Sequence, residues 1–351
     1  MRRILLTGGV GFIGSHTVEH IMKNTDDDVV VLDRLTYAGN LNFLTDMEKW
    51  GEFKKRIKFV YHDFRSPISA VTSALIGDIT DIIHMGAESH VDRSLLEPVL
   101  FEQSNVLGTI NMMEYAKERG VNKFIYVSTD EVYGAAMGGK LHKEGEPHRP
   151  SNPYSASKSG AEAFCYAYWK AYDLPVIVTN TMNNFGERQN MEKFVPKTVN
   201  SILSLKPVTV HCKKEDDKVV DISSRCWLHA RNHADALLFL LDNGQPGEHY
   251  NVVGELKNVV EMAEMIGDFL QIKPRLDYVD FHSFRKGHDM HYGLDGTKLQ
   301  NMGWKAPVPF EESLKKTVLW MKSRQDQFVH DDFAAPYDQN KIIQELKDRT
   351  A

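Results

Sequence analysis

The opening run RRILLTGGVGFIGSH constrains the fold more than any other part of this chain. Ile4 to Thr7 is a short apolar strand, and the glycines that follow lead straight into a helix. Gly8, Gly11 and Gly14 have the spacing G-x-x-G-x-x-G. That spacing answers three needs: a tight turn, close approach of the backbone to a pyrophosphate, and close packing of helix on strand. Around Phe12 and Ile13 the helix start presents free backbone N–H groups to phosphate. A glycine run alone is weak evidence, but the next strand, VVVLD, ends in Asp33. Strand, glycine turn, helix, strand and acid in that order form the dinucleotide-binding context. Asp33 would accept from a ribose hydroxyl and repel a 2′-phosphate, so NAD is expected rather than NADP. Arg34 next to it works against this preference.

Beyond that run, strands and helices alternate, which predicts a doubly wound parallel sheet of the α/β class, Rossmann-like, with a smaller C-terminal lobe. Strands are expected at Ile4–Thr7, Val29–Leu32, Lys58–Tyr61, Asp81–His84, Phe124–Val127 and Val176–Thr179. Helices are expected at Gly14–Lys23, Ile68–Leu75, Val99–Arg119 and Tyr154–Tyr172, with Pro98 at a helix start where its missing N–H costs nothing. After about Asn180 the alternation breaks down, with helices near Lys193–Leu205, Arg231–Asn243, Asn258–Leu270 and Phe310–Ser323. The expected division is a cofactor domain over 1–180, a substrate lobe over 181–323 interleaved with it, and a polar tail over 324–351.

Composition narrows the class. The net charge of −6 over 351 residues offers no basic footprint for nucleic acid. The apolar runs are too short for a membrane span, and the chain begins on a strand, without a signal peptide. Three cysteines, Cys165, Cys212 and Cys226, show no metal-ligand spacing, so no metal site and a reducing, cytoplasmic setting are expected.

The chemistry is written in YVSTDEVYG and NPYSASK. Asp130 and Glu131 are adjacent carboxylates just after an apolar strand, where ligands bind in open α/β sheets. Tyr154 and Lys158 lie four residues apart and share a helix face. A fixed ammonium beside a phenol favours the phenolate, which can take a proton from a sugar hydroxyl while a nicotinamide takes the hydride. The two carboxyls supply an acid and a base beyond what alcohol oxidation needs. Neighbouring carboxyls disfavour double ionisation, which lets them hold different protonation states at one pH.

These motifs resemble the extended short-chain dehydrogenase/reductases, and most closely the nucleotide-sugar 4,6-dehydratases that act on dTDP-glucose. The resemblance runs from about residue 1 to 323 through TGGVGFIG, DRLTYAGNL, GAESHVDRS, STDEVYG, YSASK, NNFGERQ, RKGHDMHY, GLDGTKL and GWKAPVPFEESLKKTV. It implies that Tyr154 deprotonates the C4 hydroxyl and C4 hydride passes to NAD. Glu131 then removes the C5 proton, Asp130 protonates the departing C6 hydroxyl, and the hydride returns to C6. Thr129 would hydrogen-bond the C4 oxygen. It implies further that Asp63 caps the adenine. Ser89, Asn184, Lys193, His211, Arg225, Asn251, Arg285 and His288 would hold the nucleotide sugar, Arg suiting bidentate phosphate recognition. Asn105 orders the site or else satisfies an internal backbone group. A homodimer is implied, with Val99–Arg119 and Tyr154–Tyr172 packed across a two-fold axis.

The chain departs from that pattern in four places. His211 in VTVHC stands where the family has a base-stacking aromatic, and KKEDDKVVDISS is inserted before Arg225. Arg225-Cys226-Trp227 replaces Arg-Asp-Trp, and ERQNMEK lacks the usual Pro and Tyr. All four touch nucleotide or sugar specificity and leave thymine versus uracil open. The rival readings are a 4-epimerase or UDP-glucuronate decarboxylase on the same scaffold, in which Asp130 would be idle, and an NAD-binding regulatory protein, in which Tyr154 or Lys158 would be expected to be lost.

Overall fold

A computed structural model describes residues 1–281 and 289–324. Its strands are β1 (Arg3–Thr7), β2 (Asp28–Asp33), β3 (Ile57–Tyr61), β4 (Asp81–His84), β5 (Lys123–Thr129), β6 (Val176–Thr181), β7 (Asn183–Phe185), β8 (Val208–Glu215), β9 (Lys218–Ile222), β10 (Ser224–His229), β11 (His249–Val252), β12 (Glu255–Asn258) and β13 (Leu276–Asp280). Seven of them form one sheet in the order β11-β6-β5-β4-β1-β2-β3, and every neighbouring pair is parallel. The order reverses between β1 and β4, the crevice where open α/β sheets bind ligands.

Alternate residues of each strand serve opposite faces. Ile4, Leu6, Val29, Val31, Ile83 and Ile125 point into one core, beneath helices Phe12–Asn24 and Ala230–Asn243, which pack together. Leu5, Val30, Leu32, Ile82, Phe124 and Tyr126 point into the other, against Met112 and Met113 of helix Gly108–Arg119 and Ala161 and Cys165 of helix Pro153–Tyr172. Burial on both faces explains why these strands read as continuous apolar runs.

All six expected strands of the first part and the four later helices are present within about two residues of their expected ends. Three features depart from the expectation. β11 joins the main sheet beside β6, although it lies in the second part of the chain. The expected single helix Val99–Arg119 is Pro98–Glu102, a π-helical turn at Gln103–Leu107, then Gly108–Arg119. The insertion after His211 is a hairpin of β8 and β9, turning at Asp216 and Asp217 with φ of 49° and 61°. Positive φ at both central residues suits the right-handed twist of the two strands.

A third core, of Phe185, Val195, Val199, Trp227, Met262, Ile266, Leu314 and Val318, knits the later helices together. Among the described residues no helix is long and apolar enough to cross a membrane.

Candidate active site

A cleft of about 370 Å³ lies where the strand order reverses, and the loops after β1, β2, β4, β5 and β6 line it. Fourteen of the twenty expected site residues meet there: Gly8, Gly11, Phe12, Ile13, Gly14, Asp33, Ser89, Thr129, Asp130, Glu131, Tyr154, Lys158, Asn184 and Lys193.

The dinucleotide end is shaped by absent side chains. Gly8 has φ +71°, and a Cβ on it would stand 2.8 Å from Gly86 Cα. A Cβ on Gly14 would fall 2.0 Å from the Gly8 carbonyl oxygen. Only bare backbone lets helix Phe12–Asn24 start this close to β1. Its N-cap is Gly11, and no side chain caps it. The helix start therefore faces the cleft with donors and positive dipole, which suits a pyrophosphate. Asp33 ends β2 with its carboxylate accepting from Leu35 N at 2.9 Å, and burial raises its pKa from the ordinary value. Arg34 does not compete for a 2′-phosphate freely: it donates to Glu88 Oε1 at 2.6 Å and to Asp63 Oδ2 at 3.3 Å. These residues fit NAD.

The chemical end hangs on the last residue of β5. Thr129 caps the 3₁₀ turn Asp130–Tyr133; its Oγ1 accepts from Glu131 N at 3.3 Å and donates to Asp130 Oδ1 at 3.1 Å. Asp130 is 4% exposed, and its Oδ2 has no hydrogen-bond partner. Burial, and then the charge of Glu131, push Asp130 up to about 7. Glu131 is more accessible, and Asn152 Nδ2 donates to its Oε2 at 3.2 Å. Asn152 is also the N-cap of helix Pro153–Tyr172, in a capping box with Ser155 and with Pro153 at the first turn. One side chain therefore starts the helix of Tyr154 and holds the carboxylate of Glu131.

Tyr154 and Lys158 are on that helix as expected, but the expected lowering of the phenol pKa is not what the structure gives. Lys158 is 3% exposed and donates to the Val127 carbonyl at 2.7 Å, with its ammonium 4.2 Å from the Tyr126 ring centre. Burial pushes it down to about 8. Burial and the negative charge of Glu131 push the Tyr154 phenol up, and its hydrogen bond with Thr129 opposes them.

Four expected residues stand outside the cleft lining. Asp63 is clasped by Arg65 and Arg34; burial raises its pKa, but the Arg65 hydrogen bonds outweigh this and hold it at about 2. Arg225 donates to the carbonyls of Ser224, Asp289 and Met290 and lies 4.6 Å from the Tyr292 ring centre, so it binds the 289–292 segment. Asn251 is fully buried in β11 and donates to the His142 and Asp295 carbonyls at 3.0 Å each. His211, on β8, meets Phe281 edge-on at 6.2 Å. Arg285 and His288 lie outside the described residues.

Two working residues escaped sequence reasoning. Glu88, 4% exposed, pairs with both Arg34 and Arg93. Asn152 was not singled out in the sequence; the signal it carries is an Asn directly before a Pro at a helix start, and nothing in the sequence reports its reach to Glu131. Of the two roles open to Asn105, the structure gives the internal-backbone one: in the π-turn, it binds both the N–H and the carbonyl of Glu88 at 2.9 Å. Cys226 stands where the resemblance leads one to expect Asp; burial, and then Asp130, push its thiol up to about 12. The site thus contains no third carboxylate at that position.

The chain is similar to known proteins over most of its length. The dTDP-D-glucose 4,6-dehydratase of Mus musculus is 34% identical over 327 residues, 92% of this chain and 89% of that protein. The crystal structure of DesIV, the dTDP-glucose 4,6-dehydratase of Streptomyces venezuelae with NAD bound, superposes with a TM-score of 0.82 at 34% identity, covering 93% of this chain and 98% of that one. A Thermus thermophilus UDP-glucose 4-epimerase with NAD superposes with a TM-score of 0.80 at 28% identity, over 91% and 99% of the two chains. The family model described as GDP-mannose 4,6 dehydratase matches residues 5–317, and this chain belongs to that family.

Proposed function

We propose that the chain catalyses the NAD-dependent 4,6-dehydration of a nucleoside-diphosphate glucose, dTDP-glucose or UDP-glucose, to the 4-keto-6-deoxy sugar. The observation that carries this reading is the Asp130–Glu131 pair, held at the end of β5 in two different environments beside Tyr154. A 4-epimerase has no use for that acid. NAD, when bound, accepts the C4 hydride and returns it at C6.

The chain's own residues do the rest. Tyr154 takes the C4 hydroxyl proton, with Lys158 as the cation one turn away on the same face. The resulting C4 ketone acidifies C5, and Glu131, the more exposed carboxylate, takes that proton. Asp130, kept neutral up to about pH 7, gives its proton to the C6 oxygen from the Oδ2 side. The C6–O bond breaks, water leaves, and a C5–C6 double bond forms. Glu131 then returns a proton to C5. Gly8, Gly11, Phe12, Ile13, Gly14 and Asp33 hold the cofactor, and Ser89, Asn184 and Lys193 face the nucleotide sugar. The lobe over 181–323 is the substrate lobe of this reading, and a cytoplasmic setting suits a nucleotide-sugar substrate.

A panel of nucleotide sugars tests this. With dTDP-glucose or UDP-glucose, mass spectrometry should find a product lighter by one water, with no net reduction of added NAD. His211 puts a polar ring where the resemblance implies a stacking aromatic, and a charged insertion follows it, which gives no built-in reason for a strong thymine preference. One methyl contributes only about 1–3 kcal/mol, so the two substrates should differ by less than about 100-fold in kcat/KM. Net reduction of NAD in step with product would exclude a dehydratase, and a preference above about a thousandfold would show that another element reads the base.

The protein is further proposed to be a homodimer. Helices Pro98–Glu102, Gly108–Arg119 and Pro153–Tyr172 pack side by side, and with the π-helical turn Gln103–Leu107 they leave Val99, Leu107, Phe164 and Tyr166 64%, 40%, 41% and 54% exposed. Apolar groups gathered on one face favour a self-complementary two-fold contact. Light scattering at micromolar concentration should give the mass of two chains, and Leu107→Glu with Phe164→Glu should give one. A monomeric parent protein would refute the proposal.

A further inference from the structure

The stretch 186–193 joins β7 to helix Phe194–Leu203 and brings Gln189, Asn190, Glu192 and Lys193 to the cleft. It is also where the chain lacks the Pro and Tyr of the family pattern. Arg188, in its middle, does not line the cleft. It faces a second cavity, of about 970 Å³, which shares Gln189 and Asn190 with the cleft. Its backbone has φ +68°, a left-handed conformation that a residue with a side chain keeps only where its surroundings enforce it.

Those surroundings are three other parts of the chain. Arg188 Nη2 donates to Glu19 Oε2 at 2.6 Å and to His16 Nδ1 at 3.1 Å, both on helix Phe12–Asn24. Its Nη1 donates to the Phe43 carbonyl at 3.1 Å, in the segment after β2. The residue before it is held as well. The Glu187 carbonyl accepts from His16 Nε2 at 2.8 Å, and Glu187 Oε2 accepts from His229 Nε2 at 3.1 Å, at the end of β10. The direction of each bond is set by the groups that make it. A guanidinium only donates, so His16 Nδ1 is bare and its Nε2 carries the proton. Burial, and then the charge of Arg188, hold His16 well below its ordinary pKa, so the ring stays in that neutral form. Arg188 and Glu19 are 12% and 20% exposed, so salt screens the pair little.

Helix Phe12–Asn24 starts at the pyrophosphate end of the cleft, and the segment after β2 supplies Thr36, Tyr37, Ala38 and Gly39 to its lining. Arg188 therefore ties the stretch to two of the pieces of backbone that shape the cofactor end. From Arg188 the hold passes along a short turn. Gln189 Nε2 donates to the Asn184 carbonyl at 2.7 Å. Asn190 Oδ1 accepts from Glu192 N, and the Asn190 carbonyl accepts from Lys193 N, each at 3.1 Å. Lys193 Nζ then lies 3.4 Å from Glu192 Oε1.

We propose that Arg188 is a positioning residue: it sets the 189–193 turn against the cofactor end of the cleft, and so sets the affinity for the nucleotide sugar without touching it. This rests on the reading of Asn184 and Lys193 as facing that substrate. An ion pair with a structural role alone would be felt in stability, whereas this one is felt in binding.

Arg188→Ala and Glu19→Ala test this in the NAD-loaded enzyme. UDP and dTDP are the probes, since they lack the sugar and cannot react. Calorimetry should show both variants binding the tighter of the two about tenfold more weakly than the parent, within the 10²-fold that a misplacement of about 1 Å can cost. The KM for the sugar nucleotide should rise alike. The kcat should hold within about threefold, because Tyr154, Asp130 and Glu131 are carried by other elements. The double variant should lose no more affinity than Arg188→Ala alone, since Glu19 acts through Arg188. Millimolar guanidinium, entering the second cavity, should restore binding to Arg188→Ala and leave the parent unchanged. If Arg188→Ala does not fold, Glu19→Ala decides by the same affinities. Affinities within about twofold of the parent, or additive losses without guanidinium rescue, would overturn the role of Arg188. A parent that binds UDP or dTDP but dehydrates neither sugar nucleotide would overturn the proposed function and leave that role standing; a parent that binds neither nucleotide would overturn both.

Discussion

Tyr154→Phe is expected to lower kcat by about 10²–10⁴-fold, the range for a positioned acid–base group, and to abolish exchange of the C5 hydrogen with deuterated solvent. The second effect follows from the order of the chemistry. C5 is acidic only once C4 is a ketone, and without the phenol no group in the cleft takes the C4 hydroxyl proton. Glu131→Gln should lose as much kcat by a different route. Its C4 step remains, so C4 hydrogen should still leave the sugar in single-turnover experiments while C5 exchange collapses. The amide keeps the bulk of the side chain, and Asn152 stays as the helix cap, so the Pro153–Tyr172 helix should be unaffected. Equal, small losses from the two substitutions would remove both residues from these roles.

The part of this site that could be read from the chain is the part set by local rules. Glycines spaced for a turn, an acid at a strand end, and Tyr154 and Lys158 one helical turn apart all follow from backbone geometry, and the cleft contains them. Contacts chosen by tertiary packing were not legible. β11 is separated from β6 by a long stretch of chain, and nothing in HYNV indicates which edge it joins. The π-turn at Gln103–Leu107 has no spacing signature, yet it sets Asn105 against Glu88. Arg225 shows the converse: an arginine in a phosphate-binding pattern reads as a clamp, and the pattern does not report that its guanidinium also donates to backbone carbonyls of the 289–292 segment. The pKa of Tyr154 failed for a similar reason: spacing reports that Lys158 shares its face, not that the ammonium is bonded to Val127.

Asp130→Asn should leave C5 exchange intact while elimination of water falls about 10²–10⁴-fold, and it should change two pH dependences at once. The active form of Asp130 is neutral. With its pKa pushed up to about 7 by burial and then by Glu131, the parent's kcat should fall as pH rises past about 7. The amide has no proton to lose, so this alkaline limb should vanish. Stability moves the same way. The folded pKa lies above the ordinary value of 3.8, so the folded state binds this proton more tightly than the unfolded chain does. Its stabilising contribution is complete below about pH 4 and is lost as pH rises through about 7. Above pH 7 the fold must carry a buried carboxylate whose Oδ2 has no partner, at a cost on the order of a few kcal/mol. Asp130→Asn should therefore unfold at higher denaturant than the parent at pH 8, with the gap closing toward pH 4. Glu162, also pushed up to about 7 by burial, contributes with the same sign, so some slope should survive in the variant. A variant no more stable than the parent at pH 8, with the alkaline limb of kcat still in place, would mean that Asp130 is not held neutral here. The acid for the C6 oxygen would then have to be sought elsewhere.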